Sequence, residues 1–233
     1  EARGILSHLL AKLEDGQLGP HKRYADWIQK HGRQELEGFL YGCLRPEVLS
    51  HLQLGSMNVT SLKNIGGDLA YEGRAIYIHG ILGLERRTRI YIGQSTSLRP
   101  RLKQHWNFRY RRDNPSLHYY AMHNSVFDVF SVLATLPSPF SPSSQTLPGM
   151  DQPDLLLNVL EAWCCLLFRC LPPKLLKECL PPGIRAESKD LQNVALNVAN
   201  PLDQGDKGSM QWVDLSGTQD PLIQEYLKEV ERR

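Results

Sequence analysis

One stretch of the chain limits its possible folds more than any other. Residues 153–168 read PDLLLNVLEAWCCLLF. Wound as a helix, the segment turns Leu155, Leu156, Leu157, Val159, Leu160, Trp163, Leu166, Leu167 and Phe168 to every side. A helix apolar all round has no face for water and must lie in an interior. With 233 residues the chain is long enough to build that interior around it. A content of 41% hydrophobic and 22% charged residues excludes wholesale disorder. The longest apolar run, Ala162 to Phe168, is too short for a bilayer, so no membrane partner is expected.

Two periodicities divide the rest. Residues 1–70 carry helical spacing: Ile5, Leu6, Leu9, Leu10 and Leu13, then Tyr24, Trp27 and Ile28, then Glu35 to Tyr41, then a helix opened by Pro46. From Ala75 the pattern alternates. Ala75–Ile81 and Thr88–Ile92 read as the two strands of a hairpin, with Ile76, Ile78, Ile90 and Ile92 turned to a core and Tyr77 and Tyr91 to the reverse face. Ser97 caps a predicted helix from Leu98 to about Tyr110, with Leu98, Leu102 and Trp106 as its apolar stripe. Val126–Leu136 reads as a third strand. Residues 137–153, rich in Pro, Ser and Gly, read as a flexible surface insertion. Pro221–Glu231 reads as a closing amphipathic helix.

The expected fold is α/β (α+β): a small three-stranded antiparallel sheet flanked by helices, with a helical N-terminal extension. The divisions are 1–70, 71–205 with the insertion at 137–153, and 206–233. The N-terminal helices are expected to pack on the sheet domain and offer a surface for a protein partner. Five cysteines without a CxxC pair predict buried free thiols in a reducing intracellular compartment, nucleus or cytoplasm.

Within the apolar helix the interior polar residues are Asn158 and Glu161, three apart and so on one side. A buried unpaired carboxylate is costly or titrates to neutral. Glu161 therefore either holds a hard divalent cation or pairs with an arginine such as Arg101. One carboxylate suits Mg²⁺ or Mn²⁺, which keep most of their waters and borrow phosphate oxygens.

Charge points the same way. The net charge is +2, yet Leu84–Arg112 holds nine bases (Arg86, Arg87, Arg89, Arg99, Arg101, Lys103, Arg109, Arg111, Arg112) against Glu85, or +8, leaving −6 elsewhere. Arginines interleaved with Trp106, Phe108 and Tyr110 suit a polyanion, most naturally nucleic acid.

Ala75-Ile76-Tyr77 followed by Tyr91-Ile92-Gly93 resembles the paired signature of the GIY-YIG nuclease superfamily. Arg101 lies eight residues after Gly93, and His105 four after Arg101, which are offsets like the family's. The resemblance spans Ala75 to Pro201. Ala75 stands where the family usually has Gly, and the hairpin tip is longer than is common. The resemblance implies metal-dependent cleavage of nucleic-acid phosphodiesters, most naturally in DNA. Tyr77 is then the general base, Tyr91 orients the water or Tyr77, Arg101 is the phosphate clamp, His105 shares proton transfer or touches phosphate, and Glu161 is the metal ligand. Asn197 matches the late asparagine, with Asn193 and Asn200 competing for that place. Arg86, Arg87, Arg89, Arg99, Lys103, Arg109, Arg111 and Arg112 are the implied nucleic-acid contacts. The alternative is an inactive nucleic-acid-binding or protein-interaction module with the same fold.

Overall fold

The computed structural model describes residues 1–16, 22–184, 195–205 and 213–232. Asn193 lies outside them. The fold is mixed α/β, with eleven α-helices and one three-stranded antiparallel sheet among the described residues. In chain order these are α1 (Ala2–Glu14), α2 (Lys22–His31), α3 (Arg33–Cys43), α4 (Pro46–Leu54), α5 (Val59–Ile65), β1 (Ala75–Gly83), β2 (Thr88–Ser95), α6 (Leu98–Trp106) and α7 (Phe108–Asp113). Then follow α8 (Leu117–His123), β3 (Ser125–Thr135), α9 (Pro153–Leu167), α10 (Pro173–Cys179) and α11 (Pro221–Arg232).

The centre is α9, whose residues from Leu155 to Leu167 are all buried. On one side it meets the isoleucine face of the sheet, Ile76 and Ile78 of β1 with Ile90 and Ile92 of β2. On the other, α1 supplies Ile5, Leu6, Leu9, Leu10 and Leu13, α2 supplies Trp27 and Ile28, and α3 supplies Leu36 and Leu40. Each fully buried Leu or Ile contributes on the order of 2 kcal/mol of transfer free energy. The apolar stripes of the N-terminal helices thus lie in one core with the sheet. All five cysteines are free thiols, and four of them are buried. No helix among the described residues is long and apolar enough to cross a membrane.

The strand order is β2-β1-β3. The β1–β2 register sets Tyr77 opposite Gly93 and His79 opposite Tyr91, while β3 sets Phe130 opposite His79. Strand alternation therefore puts Tyr77, His79, Tyr91 and Phe130 on the face turned away from α9. Backbone from outside the sheet seals both edges. Leu196 N donates to Ile90 O (2.9 Å) on β2, while Arg45 N donates to Leu133 O (2.9 Å) and Val132 N to Gly66 O (2.8 Å) on β3.

One local expectation fails. The helix predicted from Leu98 to Tyr110 breaks at Asn107, whose backbone is extended and whose Oδ1 accepts from Tyr110 N to start α7. An asparagine makes an N-cap more readily than it continues a helix. The break leaves Trp106 54% exposed, and His105 takes its place on the buried stripe with Leu98 and Leu102. The stretch 137–152, expected as a surface insertion, is largely exposed, and its end is seated on the core. It carries a 3-10 turn at Pro142–Ser144 and buries Met150. Gly149 lies so close to Trp27, Leu36 and Leu156 that a Cβ there would approach Trp27 to 2.5 Å.

Candidate active site

The α6 residues Leu98 and Leu102 pack with Ala75, Tyr77, Phe130 and Val132. This contact lays α6 across the outer face of the sheet and brings His105 over Tyr77. Tyr77 Oη and His105 Nε2 are 2.7 Å apart, and neither residue has exposed surface. Gly93 makes room for this pair. A Cβ at Gly93 would stand 2.5 Å from Tyr77 Oη and 2.9 Å from Tyr91 Cε1. The second glycine of the paired signature is thus a steric requirement of the tyrosines.

Burial pushes the Tyr77 phenol up to about 12, with the Arg101 guanidinium pulling against it. At neutral pH Tyr77 therefore keeps its proton. Burial also raises Tyr91 well above a phenol's usual value. His105 is pushed down to about 2 by burial, then by the charge of Arg101, and so is neutral. Its Nδ1 is buried without a hydrogen-bond partner. Burial works against the Arg101 charge, but Tyr77 and Tyr91 outweigh it and keep Arg101 above the usual guanidinium value. Arg101 Nη1 also donates to Gln104 Oε1 and Tyr110 Oη, both at 3.2 Å.

Glu161 is 3% exposed and accepts from Gln204 Nε2 at 2.7 Å. No ion pair joins it to Arg101, whose charge still acts on it. Burial raises its carboxyl to about 8, against the pull of Gln204 and then of Arg101. Asn158 stands in the same polar network. It donates to Tyr24 Oη (2.9 Å) and Gln204 O (3.0 Å), while Gln94 Nε2 donates to Asn158 Oδ1 (2.7 Å). Among the described residues no group of three or more His, Cys, Asp or Glu side chains is arranged around a metal. The donor set at Glu161 is one carboxylate beside primary amides. An amide N–H of Gln204 faces Glu161, and the amide oxygens of Asn158 and Gln204 accept from Gln94, so among the described residues there the Glu161 carboxylate is the one oxygen ligand suited to a hard cation that retains its waters.

Asn197 lies against β2. Its Oδ1 accepts from Ile92 N (2.9 Å) and its Nδ2 donates to Ile92 O (2.7 Å). Both ends of the amide hold the β2 backbone beside Tyr91. Asn200 accepts from Leu202 N and caps a 3-10 turn.

The basic cluster divides. Arg89 is not a surface contact: it is 1% exposed, with Nη2 on Asp220 Oδ1 (2.9 Å) and Nε on Glu85 Oε1 (2.8 Å). Arg111 donates to His105 O at 2.9 Å and props the end of α6. Arg99 pairs with Glu72, and Arg112 with Asp113. Arg86, Arg87, Lys103 and Arg109 are exposed.

The sequence reading missed His79, His118 and Asp128, which line the same nest, and the amides Gln94 and Gln204. Strand alternation from Tyr77 was the available signal for His79. His118 is a buried polar residue whose ring stacks on Tyr91 at 3.9 Å and 10°. Comparison with protein-family models, with curated proteins and with solved structures finds no match to this chain.

Proposed function

We propose that the chain is a metal-dependent endonuclease of the GIY-YIG type, acting on nucleic acid and most naturally on DNA. The observation that carries the reading is the 2.7 Å contact between Tyr77 Oη and His105 Nε2, beside the Arg101 cation and the isolated Glu161 carboxylate. Phosphodiester hydrolysis needs a proton acceptor for water and a cation for developing charge. Tyr77 takes a proton from the attacking water while passing its own to His105 Nε2. Arg101 faces the phosphate and balances its growing charge. Glu161 would hold Mg²⁺ or Mn²⁺, which supplies Lewis-acid polarisation of a phosphate oxygen. Arg86, Arg87, Lys103, Arg109 and Arg112 supply salt-sensitive affinity. The exposed rings of Trp106 and Phe108, among these bases, offer surfaces for stacking.

The full burial of Tyr77 and His105 favours a second reading, a binding module that no longer cleaves. One experiment separates the two. Labelled duplex, branched and single-stranded substrates are incubated with wild type, Tyr77→Phe and Glu161→Gln, with Mg²⁺, Mn²⁺ or chelator. Cleavage by wild type alone, abolished by chelator, is expected. Binding without cleavage by the wild type refutes the nuclease and leaves the module.

A further inference from the structure

A second chain of polar side chains enters the nest from the opposite side. Asp128 Oδ2 lies 2.8 Å from His79 Nε2, and His79 Nδ1 lies 2.7 Å from His118 Nε2. His79 has no exposed surface and His118 is 5% exposed. The hydrogen bond from His79 outweighs burial and holds the Asp128 carboxyl below its usual range, so it is ionised. Burial lowers both histidines, which are neutral.

The ionised carboxylate fixes every proton in the chain. A carboxylate only accepts, so the proton of His79 is on Nε2. Neutral His79 then has a bare Nδ1, which requires the proton of His118 on Nε2. Neutral His118 is left with a bare Nδ1, to which the described residues supply no hydrogen bond. Stacking locks both planes: Phe130 lies on His79 at 3.8 Å and 12°, and Tyr91 on His118 at 3.9 Å and 10°. Neither ring can rotate to exchange its nitrogens.

The Tyr77 pair has the complementary defect. If Tyr77 donates to His105 Nε2, the proton of neutral His105 sits on Nδ1, the buried atom without a partner. An orphan donor and a bare acceptor thus belong to rings whose centroids are 5.1 Å apart. The rings meet edge to face at 73°, and a water between the two nitrogens would complete both. Around them stand Arg101 from α6, Arg111 from α7, Tyr119 from α8 and Tyr91 from β2. The two arginines oppose a resting positive charge on either imidazole.

We propose that Tyr77–His105 and His118–His79–Asp128 are two halves of one proton path, which drains the proton of the attacking water to Asp128. The proposal rests on the nuclease reading. As the water oxygen bonds to phosphorus and the bond to the leaving oxygen breaks, Tyr77 Oη takes the water proton and gives its own to His105 Nε2. The Nδ1 proton of His105 crosses the bridging water to His118 Nδ1. The Nε2 proton of His118 moves to His79 Nδ1, and that of His79 Nε2 moves to Asp128 Oδ2. No imidazole keeps a second proton, so the low proton affinity of His105 is no obstacle. Asp128, with 29% of its side chain exposed, releases the proton to solvent. Asp128, His79 and His118 act through His105 and are positioning residues.

The test is single-turnover cleavage from pH 6 to 9 on wild type, Asp128→Asn and His118→Phe, with substrate binding measured in parallel. Asparagine keeps the acceptor oxygen and loses the charge; phenylalanine keeps the stack on Tyr91 and cuts the path. The wild-type rate should be nearly flat with pH. Both variants should bind normally and cleave at least tenfold more slowly at pH 7, with rates that rise with pH as hydroxide replaces the path. Nitrogen-15 spectra of wild type should show His79 and His118 protonated on Nε2. Variants cleaving like wild type, or slower with the wild-type pH profile, overturn the path, as does an Nδ1 proton on either ring. Absence of wild-type cleavage is a separate outcome, which overturns the nuclease reading and the path with it.

Discussion

Replacing Arg89 by methionine should unfold the protein earlier without weakening the nucleic-acid binding proposed for it. Arg89 has two ionic arms. The arm to Glu85, whose side chain is 37% exposed, is screened and contributes less than about 1 kcal/mol. The arm to Asp220 joins side chains 1% and 2% exposed. Removing one partner of such a pair costs about 3–5 kcal/mol when the other charge is left alone; here Arg87 Nη1 stays 3.9 Å from Asp220 Oδ2 and offsets part of the loss. Asp220 Oδ1 would still accept from Leu222 N (3.0 Å) and Ile223 N (3.3 Å), which sets the loss near about 3 kcal/mol. For a chain of this size the melting temperature should fall by roughly 6–12 °C. Urea unfolding measures the loss. Adding Asp220→Asn to Arg89→Met relieves the stranded charge while keeping the helix cap, and should restore about 1 kcal/mol. The reasoning is refuted if Arg89→Met costs under about 1 kcal/mol, or if it leaves stability alone and flattens the salt dependence of binding.

Gly93→Ala places a carbon 2.5 Å from Tyr77 Oη and should cost about 1–3 kcal/mol by overpacking, with at least a tenfold loss of cleavage. Gly38→Ala, in α3 with nothing within 4 Å of the new Cβ, should be neutral or stabilising in the same thermal scan; equal effects at both glycines would refute the steric argument. Burial raises Glu161 from 4.5 to about 8, so the native chain binds more protons than the unfolded one between those values. Its contribution to stability is fully present below 4.5 and is lost as pH rises through about 8. Urea titrations in chelator at either end of that window should show the loss in wild type and not in Glu161→Gln.

Readings that rest on local pattern agree with the structure. The alternation of β1 and β2 separates isoleucines from tyrosines because a strand has a period of two. The apolar circumference of α9 left no position but the centre. Glu161 was conspicuous because nothing apolar explains a carboxylate there. Other features depended on partners distant in sequence. Arg89 looked like one more surface base; its partner Asp220 is 131 residues away. His79 and His118 are 39 residues apart and meet only when α8 crosses the sheet. The composition of residues 137–152 described a loop correctly, but not that Trp27 and Leu36 would receive its end. Asn107 shows a local competition that periodicity misses, since its side chain can start a new helix as readily as its backbone can continue the old one.

The sealed β2 edge sets an order of events during synthesis. Both strands of the hairpin and α9 leave the ribosome before residues 195–205. Glu161 precedes Gln204 by 43 residues, about 2–9 s of translation at ordinary rates. In that interval Ile92 has no Asn197 to hold it, Ile90 O has no Leu196 N, and the acid of α9 has no Gln204 beside it. The nascent chain thus owns its tyrosines, Arg101 and Glu161 for seconds before it owns the segment that fixes their spacing. A growing polypeptide in that window carries an open strand edge, vulnerable to a neighbouring chain on the same message, and its assembled site dates from the arrival of the late segment.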